Sequence, residues 1–226
     1  MAFTPDDLVS RGRNLAEYCT MFGLGDADLR VSILGCGDGP ASFNVEGTAR
    51  GMRIVSADPL YQLRAAEIRA RIDATAGDVA AQLRSNRDEF VWTHFANVEE
   101  LIAARLAAMD QFVDDYELGI AQGRYVTGSA LDLPFHDNSF DLALCSHVLF
   151  LDSEQHGLAF HLRALRELTR VAEEVRVFPL LETGSVESRH LRAVMLALQR
   201  MGLCAEQVTV PYEFQRGGNA MLRITR

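Results

Sequence analysis

Residues 33–43, ILGCGDGPASF, place glycines at alternate positions at the end of a strand-like run that begins at residue 29. An amphipathic stretch follows, and residues 52–58, MRIVSAD, are a second strand-like run. The order strand, glycine turn, helix, strand has the spacing of a parallel β-α-β unit. These residues therefore predict an α/β fold with a parallel sheet.

The remainder of the chain continues this alternation around one long exception. Residues 61–123 are rich in Ala, Leu, Arg and Glu and are too long for one crossover helix. They predict a helical insert of two or three helices, one of them at about 97–117. The other predicted helices are at about 4–22, 153–171 and 190–202, and the other predicted strands are at 125–127, 140–145, 174–180, 205–214 and 219–225, the last two joined through Gly217-Gly218. We predict a single domain spanning residues 1–226.

The composition excludes several classes of function. The formal charge is −9 and all 22 basic residues are arginine, so neither a basic nucleic-acid surface nor a Schiff-base or P-loop lysine is expected. Cys19, Cys36, Cys145 and Cys204 lie far apart without a CxxC pair, which predicts neither a metal site nor a disulfide framework. The acidic start MAFTPDDL and the lack of a membrane-length apolar run predict a cytoplasmic protein with no membrane partner.

The glycine turn suits a nucleotide ligand. A turn without side chains lets the backbone approach the ligand, and the N–H groups of the next helix point at its polar part. Asp58 follows about twenty residues later, where a carboxylate can accept hydrogen bonds from both ribose hydroxyls. A plain tight turn at 35–39, and a turn-forming role for Asp58 before Pro59, are the alternatives. Nicotinamide and adenosylmethionine folds share these features, so this part of the chain does not separate them.

Three segments in order make the distinction: ILGCGDGPASF (33–43), VSADPLY (55–61) and ALDLPFHDNSFDLALCSHVL (130–149). Together they resemble the class I S-adenosylmethionine-dependent methyltransferases, in particular the small-molecule, type 11-like branch with its LPF-x-D-x-SFD signature. The resemblance covers roughly residues 29–226. It implies a doubly wound, mostly parallel seven-stranded Rossmann-like sheet, with an antiparallel seventh strand from the C-terminal hairpin.

The resemblance also implies a set of cofactor-binding residues for S-adenosylmethionine. Asp58 would hold the ribose hydroxyls, and the carbonyl of Cys145 or Ser146 would accept from the methionine ammonium. The glycine turn would be Gly35, Cys36, Gly37, Asp38 and Gly39, with Cys36 and Asp38 contributing mainly backbone. The adenine would be flanked by Pro59 and Leu60, its polar edge would be met by Ser129 and Ala130, and Leu131 would pack nearby. Two positions depart from the family pattern: Ile33 and Ser129 stand where the family often has acids.

The acceptor site is less defined, because methyl transfer to a nucleophile needs mainly proximity, alignment and sometimes a base. His147 follows a predicted strand at the carboxyl edge of the sheet and is our candidate general base, with capping or backbone bonding as the alternative. Tyr18, Tyr61, His94 and Arg216 are candidate substrate residues. Core packing for the tyrosines and a solvated position for Arg216 are the alternatives.

Our leading hypothesis is methyl transfer from S-adenosylmethionine to a small-molecule acceptor. Two other functions remain open at this point: an adenosylmethionine-binding protein without methyl transfer activity, and a nicotinamide-dependent Rossmann enzyme. Ile33 and Ser129 keep the first open, whereas the LPF-x-D-x-SFD stretch argues against the second.

Overall fold

The computed structural model describes residues 12–226. The α-helices are α1 (Leu15–Met21), α2 (Phe43–Ala49), α3 (Ala65–Ser85), α4 (Val98–Ala121), α5 (Leu158–Val171) and α6 (Leu191–Arg200). The strands are β1 (Ser32–Cys36), β2 (Arg53–Ala57), β3 (Tyr125–Val126), β4 (Phe140–Ser146), β5 (Ala172–Phe178), β6 (Leu181–Glu182), β7 (Val186–Glu187), β8 (Cys204–Thr209) and β9 (Ala220–Thr225). The predicted alternation of strands and helices is therefore present.

Seven strands form one sheet in the order β3-β2-β1-β4-β5-β9-β8. The first five strands in this order are parallel, whereas β9 runs antiparallel to both β5 and β8. Strand β1 lies between β2 and β4, so the glycine turn that follows it emerges at the middle of the carboxyl edge of the sheet. The predicted doubly wound, mostly parallel seven-stranded fold is confirmed.

The sheet is covered on both faces, as its apolar strands require. Along β1 the buried side chains alternate, so that Ile33 packs in one cluster with α1 and α2 while Leu34 packs in another with α5 and α6. This alternation follows from the period of two in a β-strand. Both faces of β1 are therefore fixed by packing, which makes the position of the following turn rigid.

The predicted insert folds into α3 and α4, which pack on each other and build a third apolar cluster. Their buried residues recur at helical spacing, for example Ile68, Ile72 and Val79 in α3. At the edge of the sheet, Tyr125 of β3 packs against Phe112 with ring centroids 5.1 Å apart. The insert is thereby attached to the edge strand beside β2.

Several predicted boundaries differ from the structure. Helix α1 is shorter than the predicted helix at 4–22, of which residues 4–11 lie outside the described range. Helix α5 begins later than predicted, because residues 150–152 form a separate 3-10 turn. Gly157, in an extended conformation, is the N-cap of α5. Within residues 12–226, no helix is both long and apolar enough to cross a membrane.

The final two strands are not joined by a tight turn at Gly217-Gly218. Residues 210–219 connect the two strands. The Val210 N–H donates to the Asn219 carbonyl, and the residues between them lie outside the sheet. Within this connection Gln215 pairs with Phe90 of the insert in an isolated β-bridge. Strand β8 therefore ends earlier than the predicted strand at 205–214, because the chain there contacts the insert instead of continuing the sheet. Strands β6 and β7 form a small separate sheet that was not predicted.

Candidate functional site

The glycine turn connects β1 to α2 and packs against the residues after β4. Gly37 has φ +75°, a left-handed conformation that favours glycine. A Cβ at this position would collide with the side chain of Val148 and would lie 3.4 Å from the Ser146 carbonyl oxygen. The absence of a side chain at Gly37 therefore brings the turn close to the end of β4.

Asp58 begins the 3-10 turn at Pro59–Gln62 that follows β2. Its side chain caps this turn by accepting from Leu60 N–H at 2.8 Å, and its other oxygen accepts from Gly39 N–H at 2.9 Å. The residue is buried. Each carboxylate oxygen has a second lone pair that can accept a further hydrogen bond. The turn-forming role of Asp58 and its position beside the glycine turn are therefore compatible.

A pocket of about 210 Å³ opens at this place, between the ends of β1 and β2 and the loops after β3 and β4. Its lining residues are Cys36, Gly37, Ala57, Asp58, Pro59, Ser129, Ala130, Leu131, Val148 and Phe160. Seven of them were predicted from the resemblance, and Ala57, Val148 and Phe160 were not. The pocket brings segments together that are about a hundred residues apart in the chain.

The other predicted cofactor residues lie around the pocket and do not line it. Cys145 is fully buried, and Leu60 and Ser146 are nearly so. Gly39 is held at both backbone groups, because its N–H donates to Asp58 and its carbonyl accepts from the Tyr61 hydroxyl at 2.8 Å. Gly35 leaves room for the carboxylate of Asp38, which a Cβ there would overlap. These residues support the turn from behind.

The side chain of Asp38 has internal hydrogen bonds that the resemblance did not imply. Its carboxylate is buried beneath the turn, where it accepts from the Tyr18 hydroxyl at 2.8 Å and from the Ser56 hydroxyl at 2.6 Å. Burial raises the pKa of Asp38 to about 7, although the two hydrogen bonds lower it and the charge of Asp58 raises it further. An acid is therefore present under the glycine turn even though Ile33 replaces the usual one.

Two cysteines meet below the pocket. Cys36 of β1 and Cys145 of β4 are paired in register on neighbouring strands. A hydrogen bond with Cys145, together with burial, raises the pKa of the Cys36 thiol well above its usual value. The thiol of Cys36 is therefore neutral and gives the floor of the pocket an apolar character.

His147 directly follows β4 and has a left-handed backbone with φ +57°. Its N–H donates to the Phe178 carbonyl at 2.8 Å, which fixes the chain at the end of β5. Its ring is half-buried, with Nδ1 2.8 Å from the Ser146 hydroxyl oxygen. The next residue, Val148, lines the pocket, whereas His147 is not among the lining residues.

The four candidate substrate residues occupy different positions. Tyr18 is buried, stacks on Phe43 with ring centroids 4.1 Å apart and bonds to Asp38. Tyr61 is also buried and holds the Gly39 carbonyl. His94 is exposed and stacks on Tyr212 at 5.3 Å.

Arg216 lies on the connection between β8 and β9, at the contact with the insert. Its backbone N–H donates to the Glu89 carbonyl at 2.9 Å and its guanidinium approaches the Asp88 carbonyl at 3.4 Å. The side chain is exposed. Arg216 and Tyr61 therefore have structural contacts, and neither lines the pocket.

Sequence reasoning missed Phe160, Val148 and Ser56. Phe160 lies in the first turn of α5 and reaches the pocket from a helix to which the sequence assigned no part in the site. Val148 directly follows His147. Only its position at the carboxyl edge of the sheet indicated that it could line the pocket. Ser56 precedes Asp58 in the quoted segment 55–61, but its bond to Asp38 depends on tertiary contact.

The fold and the match to a methyltransferase family model define the class of this protein: it is a class I S-adenosylmethionine-dependent methyltransferase. The methyltransferase domain family model matches residues 99–174, which include the LPF-x-D-x-SFD stretch. Among curated proteins, the chain is 31% identical over 221 residues to the uncharacterized protein MJ0045 of Methanocaldococcus jannaschii, covering 97% of both chains. The chain belongs to the family of that protein. The predicted class of enzyme is confirmed.

Solved structures support the fold. The chain is similar to magnesium protoporphyrin IX methyltransferase of Synechocystis PCC 6803 with bound S-adenosylhomocysteine, at 10% identity and a TM-score of 0.50, covering 97% of this chain and 84% of that one. It is also similar to a Pyrococcus horikoshii protein assigned as an RNA methyltransferase, at 10% identity and a TM-score of 0.43, covering 100% of this chain and 87% of that one.

Proposed function

We propose that the pocket beside Asp58 binds S-adenosylmethionine and that the protein transfers its methyl group to a small-molecule acceptor. The main support for the cofactor site is that the glycine turn, Asp58 and the loop at 129–131 line the same pocket. The chemistry of this lining matches an adenosine: one buried carboxylate, one hydroxyl and otherwise backbone or apolar surface. Few polar groups in an apolar pocket is the usual arrangement for cofactor recognition.

The adenine ring fits between the apolar walls formed by Pro59, Leu131 and Phe160. The Ser129 hydroxyl accepts from Leu131 N–H at 3.3 Å, which orients it within the loop. Asp58 lines the pocket and accepts from two backbone N–H groups, which fix the position of its carboxylate there. This preorganisation reduces the entropy lost when a ribose is bound.

The methionine end of the cofactor is expected at the turn beside β4. The Ser146 carbonyl oxygen lies next to Gly37, where it can accept from an ammonium group. The carboxylate of Asp38 lies beneath the same turn and adds negative charge behind it. When bound, the cofactor supplies an electrophilic methyl group on a sulfonium that is already a good leaving group, so the chain's own task is alignment and, for a protic acceptor, removal of a proton by His147.

A small molecule is favoured over a nucleic acid by the charge of the chain. The net charge of −9 opposes a polyanion, whose binding depends on basic residues that displace counterions. A neutral or cationic metabolite experiences no such repulsion. A polynucleotide acceptor is the outcome that would contradict this part of the proposal.

Calorimetric titration tests the cofactor site. We expect one molecule of S-adenosylhomocysteine to bind per chain, with a dissociation constant on the order of micromolar. NADH, titrated under the same conditions, should give no heat of binding. The proposal is overturned if S-adenosylhomocysteine does not bind at millimolar concentration, or if NADH binds instead. Binding without methylation of any acceptor in a metabolite panel would favour the alternative of a non-catalytic binding protein.

A further inference from the structure

A carboxylate is enclosed beneath the glycine turn. Asp38 is buried and does not line the pocket. A Cβ on Gly35 would overlap its carboxylate, whereas the next residue along β1, Cys36, lines the pocket. Because neighbouring side chains of a strand point to opposite faces of the sheet, the end of β1 lies between the carboxylate of Asp38 and the pocket. Asp38 can therefore act on a bound ligand through its charge and not through contact.

Two hydroxyl groups donate to this carboxylate. Tyr18 donates to Oδ1 at 2.8 Å and Ser56 donates to Oδ2 at 2.6 Å. The oxygen of Ser56 also accepts from Asn44 Nδ2 at 3.1 Å, and its own proton is directed at Asp38. An ionised carboxylate accepts both bonds, whereas a protonated one must use one oxygen as a donor. The hydrogen bonds therefore favour ionised Asp38.

The other surroundings of Asp38 favour the neutral acid. Burial, together with the charge of Asp58, raises the pKa of Asp38 to about 7 against the effect of the two hydrogen bonds. Arg13, which precedes α1, interacts with Tyr18. Near neutral pH the side chain of Asp38 is therefore divided between its two protonation states. The titratable groups that interact with it are Asp58 after β2, Cys36 of β1, Tyr18 of α1 and Tyr61 of the 3-10 turn.

A positive charge on the other side of the turn would shift this balance. The proposed place of the methionine ammonium is at the Ser146 carbonyl oxygen beside Gly37, and Gly37 directly precedes Asp38 in the chain. Opposite charges attract more strongly across buried protein than across water. A bound ammonium would therefore lower the pKa of Asp38. By linkage, ionised Asp38 strengthens the binding of the ammonium by the same factor.

We propose that Asp38 is a proton-linked counter-charge for the ammonium of the cofactor, and that binding of S-adenosylmethionine or its product releases the Asp38 proton to solvent. This inference rests on the proposed cofactor site. Only the O–H bond of the neutral acid breaks: its electron pair stays on the carboxylate, the proton passes to the buffer, and Tyr18 and Ser56 donate to the resulting ion. Asp38 is a positioning residue, because it acts on the cofactor through its charge and touches none of the reacting atoms.

The pH dependence of binding tests the counter-charge without any acceptor. S-adenosylhomocysteine carries the ammonium, whereas methylthioadenosine has the same adenosine part but lacks the amino acid. A group with a pKa of about 7 is roughly nine-tenths protonated at about pH 6 and nine-tenths ionised at about pH 8, so the affinity for S-adenosylhomocysteine should be about tenfold lower at the lower pH. Decarboxylated S-adenosylhomocysteine, which keeps the ammonium, should behave in the same way. The affinity for methylthioadenosine should change much less.

Calorimetry also measures the proton itself. In buffers of different ionisation enthalpy, S-adenosylhomocysteine should release roughly half a proton at about pH 7, and methylthioadenosine should release much less. Asp38→Asn removes the charge, so it should bind S-adenosylhomocysteine about tenfold more weakly than the wild type at about pH 8 and should lose the difference in pH profile between the two ligands. Its affinity for methylthioadenosine should equal that of the wild type.

Ser56→Ala provides a second variant, which keeps the acid but removes one donor. The loss of this hydrogen bond raises the pKa of Asp38, so the midpoint of the pH dependence should move to higher pH. This variant tests the proposal equally if Asp38→Asn does not fold. Tyr116→Phe is the control, because it removes a buried hydroxyl that donates to the Tyr61 carbonyl at 2.9 Å and not to Asp38. It should leave the midpoint unchanged.

Two results would overturn the counter-charge while leaving the cofactor site intact. One is an equal pH profile for S-adenosylhomocysteine and methylthioadenosine in the wild type. The other is an unchanged difference between these ligands in Asp38→Asn. If neither ligand binds at any pH, the cofactor site itself is contradicted, and the counter-charge with it.

Discussion

Arg105 of α4 and Glu17 of α1 form a buried two-point ion pair, with nitrogen–oxygen distances of 2.5 and 2.7 Å. Their side chains are only 4% and 9% exposed. Burial favours the neutral acid, yet the charge of Arg105 and its hydrogen bonds hold the pKa of Glu17 below the usual value. The Tyr212 hydroxyl also donates to Glu17, at 3.1 Å. The insert is therefore attached through Glu17 to the helix that carries Tyr18.

Removing Arg105 should strongly destabilise the protein. Arg105→Met leaves Glu17 buried without its two-point partner, which costs about 3–5 kcal/mol in the free energy of unfolding. Urea denaturation followed by circular dichroism measures this value. The control is Arg84→Met in an exposed pair with Glu99, where about 1 kcal/mol or less is expected. Equal losses in the two variants would contradict the role assigned to the buried pair.

The glycine turn should be more sensitive to substitution at Gly37 than at a glycine with open surroundings. Gly51 has φ +83° and no neighbour near a Cβ, so Gly51→Ala costs mainly the backbone strain of about 1–2 kcal/mol. Gly37→Ala adds a collision with Val148 to the same strain. We expect a larger loss of stability and, in addition, loss of S-adenosylhomocysteine binding only in Gly37→Ala. Retained binding in that variant would show that the turn can move.

Asp58→Ala should weaken S-adenosylhomocysteine binding about ten- to a hundredfold, because a charged acceptor of two hydroxyl bonds is lost. Titration calorimetry gives the dissociation constant. Asp58 also caps the turn at Pro59–Gln62, so the free energy of unfolding must be measured in parallel. Asp58→Asn, which keeps an acceptor for the Leu60 N–H, is the second variant. An unchanged dissociation constant in both would refute the ribose assignment.

The order of elements could be predicted because local pattern and glycine placement determine it. The turn at 35–39 and the acid at Asp58 were both evident from spacing, since a β-α-β unit brings the carboxyl ends of neighbouring strands together. The three segments of the resemblance supplied the loop at 129–131. Residues of the pocket that follow strands were therefore accessible to sequence reasoning.

Residues that reach the site through tertiary packing were not accessible. The role of Asp38 depends on Tyr18, twenty residues earlier, and on Ser56 in the neighbouring strand. The resemblance implied mainly a backbone contribution from Asp38, and alternating glycines give no information about where the intervening side chain turns. The connection at 210–219 was read as a tight hairpin because its pairing with the insert, through Gln215 and Phe90, is long-range.

Phe160→Ala should reduce the affinity for S-adenosylhomocysteine while leaving the fold intact. Phe160 lines the pocket from the first turn of α5 and is half-buried, so truncation removes apolar contact with the bound ring. A loss of roughly tenfold in affinity is expected from about 1–2 kcal/mol of contact. Phe95→Ala, in the insert, is the control for removal of a half-buried phenylalanine away from the pocket. Equal affinity in Phe160→Ala and the wild type would place the adenine elsewhere.

Asp38→Asn should change the pH dependence of stability. The pKa of Asp38 is about 7 in the folded protein against 3.8 for the ordinary side chain, so the folded state binds more protons between these values. The free energy of unfolding of the wild type therefore decreases, through this group, as pH rises from about 4 to 7. Asparagine does not titrate, so the stability of the variant relative to the wild type should increase over this interval by on the order of 2–4 kcal/mol.

Urea denaturation at several pH values measures that difference, and Asp137→Asn, at a side chain that is 72% exposed, provides the control. Asp137 pairs with Arg170 at the surface, with a nitrogen–oxygen distance of 2.8 Å, so its substitution should cost about 1 kcal/mol or less. A difference that increases only for Asp38→Asn assigns the effect to the buried carboxylate. A flat difference for both variants would mean that the folded state keeps Asp38 ionised down to acidic pH, with its two hydroxyl donors outweighing the cost of burial.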